Sequence, residues 1–293
     1  MIVIFHSQDG QNHCDDGFAA AWVFWRKYGE KAHFWPGVYG TEPPLYEASQ
    51  CQGGQTFALV DFSYKREQVK ALARQPINLL VLDHHKTAEA ELSGIVEELV
   101  NEEPSWPRDG YGQYIGLPDI RFDMDRSGAR MAWDYCFPGE VPPDLLLRIE
   151  DADLWRWRYE DGKTVQAALR SYPQTFEILD DLMARPISGL TAEGASIRRF
   201  IEAKVTELKR TAWRADIGGI EMPVCNAPWF LASELAGQLA EEDQGGRAAV
   251  YFDQGKRRCY SLRARGDADV SEIAKKLGGG GHRGAAGFEV PKP

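Results

Sequence analysis

Short apolar runs alternate with helical segments in the first third of the chain. The runs that predict buried strands are residues 2–5 (IVIF), 57–62 (FALVDF) and 78–83 (NLLVLD). Segments 16–29 (DGFAAAWVFWRKYG) and 65–75 (KREQVKALARQ) lie between them and have helical patterns. Strands that alternate with helices predict a parallel sheet with crossover helices. Ligands bind such sheets beyond the carboxyl ends of the strands.

Each of these strands ends in a residue that can ionise. His6 ends the first run, Asp61 lies near the end of the second, and Asp83 ends the third, where it is followed by His84 and His85 in VLDHHK. Turn residues such as Gly, Asn or Pro are the usual way to end a strand. We therefore expect these side chains to meet at one edge of the predicted sheet.

The second half of the chain changes pattern twice. Residues 126–210 are mostly helical, and strand-like segments with one short helix follow. The predicted fold class is α/β: an N-terminal domain with a parallel sheet and crossover helices, joined by a helical linker to a smaller α+β C-terminal domain. The predicted boundaries are 1–190, 191–211 for the connecting helix, and 212–293.

Charge limits the range of partners. The 293 residues include 34 Lys and Arg against 44 Asp and Glu, a net charge of −10. Proteins that bind long nucleic acid through its phosphates need a basic surface, so we expect no long nucleic-acid partner. A small phosphorylated substrate in a locally positive pocket is compatible with this charge.

The cysteines and the apolar runs bear on location. The five cysteines are scattered and form no CxxC pair, which is typical of a reducing compartment. No apolar run approaches the length that crosses a membrane, and the first residues lack the pattern of a signal peptide. We expect a cytoplasmic protein with no membrane partner.

Carboxylates and imidazoles at the strand ends suggest a metal site. This donor set suits Mn²⁺, Mg²⁺ or Fe, and to a lesser extent Zn²⁺. A single Asp at a strand end more often caps a helix or forms a turn, and a single His is more often a structural residue. The six candidate ligands can converge only at the strand-end edge of the predicted sheet. The candidate ligands are His6, Asp16, Asp61, Asp83, His84 and Asp151.

A glycine-rich stretch near the C-terminus suggests an anion site. GGGGHRGAAGF, residues 278–288, can direct successive N–H groups at one anion, and its His and Arg add donors. Arg263 on the preceding strand can add charge. A flexible turn and a solvated edge strand are the alternatives. The candidate substrate-binding residues are Gly279, Gly280, Gly281, His282, Arg283 and Arg263.

Two further segments are ambiguous. Ser127 begins a predicted helix, where it either binds phosphate or caps the helix, and we favour the cap. The segment 149–162 (IEDADLWRWRYEDG) carries a stripe of Trp and Arg that suits base stacking and phosphate contact. A core with salt bridges is an equal alternative for that stripe.

The two unusual motifs together resemble one family. VLDHHK resembles the signature of the DHH phosphoesterase superfamily, and GGGGHRGAAGF is similar to the glycine-rich motif of its DHH-associated C-terminal domain. The resemblance runs over nearly the whole chain, with both motifs in the right order. The chain is most similar to the short members described as uncharacterised phosphohydrolases, and it resembles RecJ-type exonucleases and small-oligonucleotide phosphatases more distantly. The resemblance implies a DHH catalytic domain followed by a substrate-binding domain.

The resemblance also implies roles for single residues. It implies a binuclear site, commonly for Mn²⁺, at the end of the parallel sheet, with Asp83, His84 and His85 as catalytic residues and a glycine-rich loop that anchors the substrate. Asp153 is an alternative register for Asp151. The implied metal ligands are His6, Cys14, Asp16, Asp61, Asp83, His84 and Asp151.

The sequence departs from the family at Cys14. An acid usually stands at this place, two residues before the aspartate that aligns with Asp16. A thiolate is a softer ligand, so it either shifts one position toward Zn²⁺ or weakens that position. The spacing before this motif is also long, so His6 and His13 compete for one role, and we favour His6 because it ends a strand.

The implied function is a metal-dependent phosphoesterase. It hydrolyses phosphate esters of nucleotides or short oligonucleotides by a metal-activated hydroxide. The alternatives are a pyrophosphate or polyphosphate hydrolase, a nucleotide-binding sensor with a degenerate metal site, and a doubly wound protein without metal. By analogy with relatives, a homodimer is also expected.

Overall fold

A computed structural model of the chain describes residues 1–51, 53–103, 105–107 and 116–292. The chain divides into two compact units, Met1–Ala195 and Ser196–Pro293. The first unit is built on a parallel sheet with helices and the second on a mixed sheet, which confirms the predicted fold class. The roles given to the predicted segments 1–190, 191–211 and 212–293 stay predictions.

The N-terminal unit alternates strands and helices along the chain. Its strands are β1 (Ile2–His6), β2 (His33–Gly37), β3 (Gln55–Val60), β4 (Ile77–Asp83) and β5 (Asp119–Phe122). Its helices are α1 (Asp15–Tyr28), α2 (Leu45–Ser49), α3 (Arg66–Ala73), α4 (Lys86–Leu92), α5 (Ile95–Glu102), α6 (Gly128–Cys136), α7 (Asp144–Asp153), α8 (Gly162–Leu169) and α9 (Phe176–Ala184), and α10 (Ile187–Lys209) crosses the division between the units.

The first sheet is covered on both faces. Its strands run parallel in the order β2-β1-β3-β4-β5. Side chains alternate across a strand, so Val3 and Phe5 of β1 pack into one apolar cluster with α1 and α6, while Ile2 and Ile4 pack into another with α3. Burial on both faces explains the continuous apolar runs of β1, β3 and β4.

The register of the central strands brings their carboxyl ends to one level. Phe5 of β1 pairs with Val60 of β3, which pairs with Leu82 of β4. The next residues along these strands are His6, Asp61 and Asp83. The parallel arrangement therefore places an imidazole and two carboxylates side by side at one edge, which we call the rim.

The C-terminal unit has its own core. Its elements are β6 (Trp213–Ile217), β7 (Ile220–Asn226), α11 (Trp229–Glu242), β8 (Arg247–Gln254), β9 (Arg257–Ala264), α12 (Ser271–Lys276), β10 (Gly280–His282) and β11 (Ala285–Pro291). The sheet order is β10-β11-β9-β8-β7-β6, with only the β7–β8 pair parallel. One apolar cluster packs α11 against β8, and a second includes residues of α12. Over the described ranges, no helix is long and apolar enough to span a membrane.

Candidate metal centre

Asp61 lies at the centre of the rim. It follows β3 with a φ of 53°, and its side chain is only 1% exposed. Aspartate tolerates this left-handed conformation better than most residues. Two glycines leave room for it: a Cβ on Gly128 would lie 2.4 Å from the Asp61 Cβ, and a Cβ on Gly17 would lie 2.6 Å from the His6 carbonyl oxygen. The rim is therefore packed around this one carboxylate.

One group of donors lies on the β1 side of Asp61. Ligand atoms of His6, Cys14 and Asp61 all lie within 4.8 Å of one another. The His6 Nδ1 and Asp61 Oδ2 atoms are 3.4 Å apart, and both are buried without a hydrogen-bond partner. An unsatisfied buried polar atom costs about 1–3 kcal/mol, more when it is charged. A cation bound between these two atoms would remove that cost.

A second group lies on the β4 side. Ligand atoms of Asp16, His84 and Asp153 lie within 4.8 Å of one another, as do those of Asp61, His84 and His85. The His84 Nε2 atom is 3.1 Å from Asp61 Oδ1 and 3.4 Å from Asp153 Oδ2. The two oxygens of Asp61 thus face different groups, which suits a carboxylate that bridges two cations.

The charges of the rim are strongly coupled. Burial, reinforced by the charge of Asp61, raises the pKa of Asp16 well above its ordinary value and that of Asp153 to about 6. Burial opposes the charged form of His84, but the hydrogen bond with Asp61 raises its pKa to about 9. Burial likewise opposes ionisation of Asp61, but His6 and His84 lower its pKa. Protons on Asp16, Asp153 and His84 therefore offset the negative charge of the rim when no metal cation is bound.

Asp83, which was predicted as a metal ligand, makes its contacts with the loop that follows it. It is fully buried, and its Oδ2 atom accepts a hydrogen bond from the Ser63 hydroxyl at 2.6 Å. Its Oδ1 atom accepts from the backbone N–H groups of His84 (2.7 Å) and His85 (3.1 Å) and contacts the His85 Nδ1 atom at 2.7 Å. Asp83 belongs to none of the donor groups, because its lone pairs already hold the loop and orient His85.

The two alternative aspartates of α7 have different surroundings, and Asp153 is the one that lies in a donor group. Asp151 is buried, and its Oδ2 atom accepts a hydrogen bond from the backbone N–H of Arg158 at 2.8 Å. Asp153, at the end of α7, reaches His84 instead. Two positions along a helix differ by about 200° in direction, so only one of the two residues can face the rim.

Among the other predicted residues, some lie in a donor group and others have structural contacts. Between the two competing histidines, His6 reaches the donor group, whereas the His13 Nδ1 atom lies 3.0 Å from the Ser7 hydroxyl and its ring stacks on Phe18. Ser127 caps α6 and accepts from the Arg130 N–H at 3.3 Å, as favoured from the sequence. The same helix start holds Asp16, whose carboxylate accepts from the Ala129 N–H.

Three contributors were not foreseen. Ser63 fixes Asp83, Gly128 makes room for Asp61, and the Tyr39 ring lies 5.2 Å from the His6 ring and 6.4 Å from the His85 ring. Tyr39 follows β2, a strand that the sequence pattern did not predict. Ser63 could have been found from its place in VDFS, two residues after the strand-end acid Asp61.

Comparison with known proteins relates the C-terminal part of the chain to a domain family. Residues 229–293 match the DHHA1 domain family. An uncharacterized protein of Acanthamoeba polyphaga mimivirus is 26% identical over 326 aligned positions, which cover 98% of this chain and 66% of the viral protein. The C-terminal unit of this chain therefore contains a match to the DHHA1 domain family.

Solved structures resemble the chain at low sequence identity. The DHH domain of a member of the s1p family of ribosomal proteins has a TM-score of 0.54 at 13% identity and covers 98% of this chain and 81% of its own. RecJ from Thermus thermophilus in complex with Mn²⁺ has a TM-score of 0.47 at 15% identity, covering 98% of this chain and 49% of RecJ. The first of these similarities shows a shared fold.

The glycine-rich motif of the DHHA1 domain forms an exposed edge strand. Residues Gly280, Gly281 and His282 make up β10, which pairs with β11, and all three are exposed. Gly281 has a φ of 134°, and a Cβ there would lie 2.5 Å from the Ala286 Cα. A Cβ on Gly279 would lie 2.0 Å from the Gly287 carbonyl oxygen. Two of the glycines are therefore needed by the strand pairing itself.

The two predicted substrate-binding arginines differ in how they are used. Arg283 donates to the carbonyl oxygens of Asp267 at 2.6 Å and Ala268 at 3.2 Å, so it ties down the loop before α12. Arg263 on β9 donates to the Ser233 hydroxyl at 2.7 Å, and burial lowers its pKa. Among the described residues, no ion pair to Arg263 is present, so its charge is available to an anion.

Proposed function

We propose that the chain is a divalent-metal-dependent phosphoesterase whose ions bind at the rim. The observation that carries the proposal is a pair of buried atoms without a hydrogen-bond partner, His6 Nδ1 and Asp61 Oδ2. Their residues belong to a donor group that shares Asp61 with a second group. The donors are imidazole, thiol and carboxylate groups, which bind divalent transition metals. The residues present therefore fit a binuclear centre.

The proposed ligands differ from the first expectation in two places. We propose His6, Cys14 and Asp61 for one position, and Asp16, Asp61, His84 and Asp153 for the other. Asp83 is a positioning residue, because its oxygens are engaged by the loop that carries the two histidines. Bound ions of this kind supply a hydroxide near neutral pH and neutralise charge on phosphate oxygens.

His85 is proposed to contact the substrate phosphate. Its Nδ1 atom faces Asp83 at 2.7 Å, which leaves the Nε2 side of a partly exposed ring directed elsewhere. Burial opposes the charged form, but Asp83 raises the pKa of His85 above its ordinary value. A protonated imidazole held in this way can donate a hydrogen bond to a phosphoryl oxygen as negative charge develops there.

The segment after Asp153 supports a nucleotide-type substrate. Trp155 is 68% exposed, and its Cα lies at most about 7.6 Å from that of Asp153, since each residue step spans 3.8 Å. Trp155 and Trp157 both have left-handed backbones, with φ values of 52° and 49°, a conformation that is costly for bulky residues. Asp151 holds this segment through the Arg158 N–H. An exposed indole next to a metal ligand can stack on a nucleobase.

The proposal is tested by metal analysis together with a screen for phosphate release. The purified protein would be analysed for bound metals and then supplied with Mn²⁺ and with nucleotides, dinucleotides, short oligonucleotides and inorganic polyphosphate. The Asp61→Asn variant is the matched control for contaminating phosphatases. Hydrolysis of a nucleotidic substrate by the native protein alone supports the proposal. Polyphosphate hydrolysis alone would favour the anhydride alternative, and binding without turnover would favour a nucleotide sensor.

A further inference from the structure

The first donor group contains a thiol at a position that local structure does not require. Cys14 is the N-cap residue of α1, with φ −63° and ψ 140°, and its carbonyl oxygen accepts from the Phe18 N–H at 2.9 Å. Its side chain makes no capping hydrogen bond. Ser, Thr, Asp and Asn are the residues that stabilise this position. Cysteine is therefore an unusual residue at this N-cap position.

The Cys14 thiol also differs from other thiols of the chain. The Cys51 Sγ atom lies 3.2 Å from the Gln55 Oε1 atom, and the Cys225 Sγ atom lies 3.4 Å from the Leu208 carbonyl oxygen. The Cys14 Sγ atom, by contrast, lies within 4.8 Å of a nitrogen of His6 and an oxygen of Asp61. Within the described part of the chain, Cys14 is the cysteine that belongs to a donor group.

An independent observation shows that this group is arranged for a cation. The His6 Nδ1 and Asp61 Oδ2 atoms are buried without partners and 3.4 Å apart. Two ligand atoms that bind one tetrahedral zinc ion at about 2.1 Å each lie about 3.4 Å apart. The observed separation therefore suits an ion shared by the two atoms, with the thiolate as a third ligand.

The second donor group has a different chemical character. Asp16 and Asp153 provide carboxylate oxygens and His84 provides a nitrogen, with Asp61 shared between the groups. Oxygen-rich sites suit Mn²⁺ and Mg²⁺, whereas thiolate ligands favour softer ions such as Zn²⁺. The two positions of one centre thus differ by a sulfur ligand.

We propose that the DHH centre of this chain is asymmetric, with a thiophilic ion such as Zn²⁺ at the position of His6, Cys14 and Asp61 and a harder ion such as Mn²⁺ at the position of Asp16, His84 and Asp153. This inference rests on the proposed function, because it assigns metals to the same centre. It concerns which ions bind, and its test does not depend on catalysis.

The test uses Co²⁺ as a spectroscopic probe. Chelator-treated full-length protein, kept reduced with a phosphine, would be titrated with Co²⁺ while the near-ultraviolet absorption is followed. We expect a sulfur-to-cobalt charge-transfer band in the native protein and in the Cys51→Ser variant, but not in Cys14→Ser. Circular dichroism of each variant reports whether it is folded. If Cys14→Ser does not fold, the spectrum of the native protein still shows whether the sulfur-to-cobalt charge-transfer band is present.

Competition between metals supplies a second measurement. Because Zn²⁺ binds N, O and S ligands more tightly than Mn²⁺ in general, the informative quantity is the change in preference between variants: Cys14→Asp should bind Zn²⁺ with at least about tenfold lower preference over Mn²⁺ than the native protein does. Cobalt that binds with no charge-transfer band, or a band that survives in folded Cys14→Ser, would overturn the asymmetry while leaving the phosphoesterase proposal intact. Failure of the native protein to bind any of the three metals would overturn both.

Discussion

The rim of the N-terminal unit and the glycine-rich strand of the DHHA1 domain are both marked by unusual sequence motifs, yet they differ in physical state. At the rim, Asp16 and Asp61 are almost fully buried and two polar atoms have no partner. In β10, residues Gly280–His282 are exposed, and the following Arg283 is used by nearby carbonyl groups.

This difference separates a site that a bound cation would stabilise from a strand that needs no ligand. Buried polar atoms without a hydrogen-bond partner are costly, and a cation bound between His6 Nδ1 and Asp61 Oδ2 would remove that cost. An exposed strand has no such cost, because its polar groups can be satisfied by water. The conformation of β10 therefore does not require a bound ligand.

The largest effect should come from the shared carboxylate. Asn tolerates a left-handed backbone as Asp does, so Asp61→Asn should keep the fold and remove the bridging charge. We expect hydrolysis of the substrate found by screening to fall by at least about a thousandfold, because several kcal/mol of transition-state stabilisation depend on the ions. Steady-state kinetics and circular dichroism measure this. Activity within tenfold of the native rate would refute the bridging role.

Two aspartates on α7 offer a sharper comparison. Asp153→Asn should lower metal content by one ion per chain and activity by about a hundredfold or more. Asp151→Asn should keep both ions and lower the free energy of unfolding by about 1–3 kcal/mol, because its carboxylate accepts backbone hydrogen bonds. Elemental analysis and denaturant unfolding of the two variants distinguish the roles. The reverse outcome would restore the original preference for Asp151.

Exposed tryptophans test the substrate class. Trp155→Ala should raise KM for a nucleotidic substrate by about tenfold, since stacking contributes about 1–3 kcal/mol per base. Trp213, which is 46% exposed on β6 of the other unit, is the matched control, and Trp213→Ala should leave KM unchanged. Equal KM values in all three proteins would remove the support for base stacking.

The metal-free protein should lose stability as pH rises. The pKa of His84 in the folded protein is about 9, above the ordinary value of 6.5. Protonation of His84 therefore stabilises the fold fully below pH 6.5, and this stabilisation is lost as pH rises through about 9. Asp153, with a pKa of about 6, acts in the same direction at lower pH. Between about pH 6 and pH 9, Tm of chelator-treated protein should fall by about 3–6 °C.

Added metal provides the control for this pH dependence. Saturating Mn²⁺ replaces the protons of the rim, so the stabilisation by metal should grow as pH rises. Differential scanning fluorimetry with and without metal measures both curves. A Tm that is flat over this range without metal, or equal stabilisation by Mn²⁺ at every pH, would contradict the coupling of the rim charges.

The smallest effects should come from the DHHA1 glycines. Gly280→Ala meets no atom within 4 Å, so Tm should stay the same, while KM rises a few-fold if the substrate approaches this backbone. Gly281→Ala should instead destabilise the fold by about 1–3 kcal/mol because of its φ and the contact with Ala286. Native kinetics in Gly280→Ala would leave β10 without a role in binding.

The central strands and their terminal residues could be predicted from the sequence because both faces of the sheet are covered. The apolar runs of β1, β3 and β4 are continuous, so His6, Asp61 and Asp83 stand out as polar ends. The edge strands β2 (HFWPG) and β5 (DIRF) were missed because they are short and partly exposed, and β2 contains a proline.

Side-chain direction is the part of the site that the sequence could not provide. Asp83, Asp151 and Asp153 were assigned by their match to family motifs, whereas the direction of each side chain depends on backbone turns. Asp83 faces its own loop, and the phase of α7 decides between Asp151 and Asp153. Neither direction can be obtained from residue type alone.

The most direct test of the metal centre is anomalous X-ray diffraction from crystals grown with Zn²⁺ and Mn²⁺, recorded at the absorption edge of each metal. We expect two anomalous peaks that both contact Asp61, one beside His6 and Cys14 and the other beside His84 and Asp153. Ions bound elsewhere, or a rim without any peak in well-ordered crystals, would contradict it.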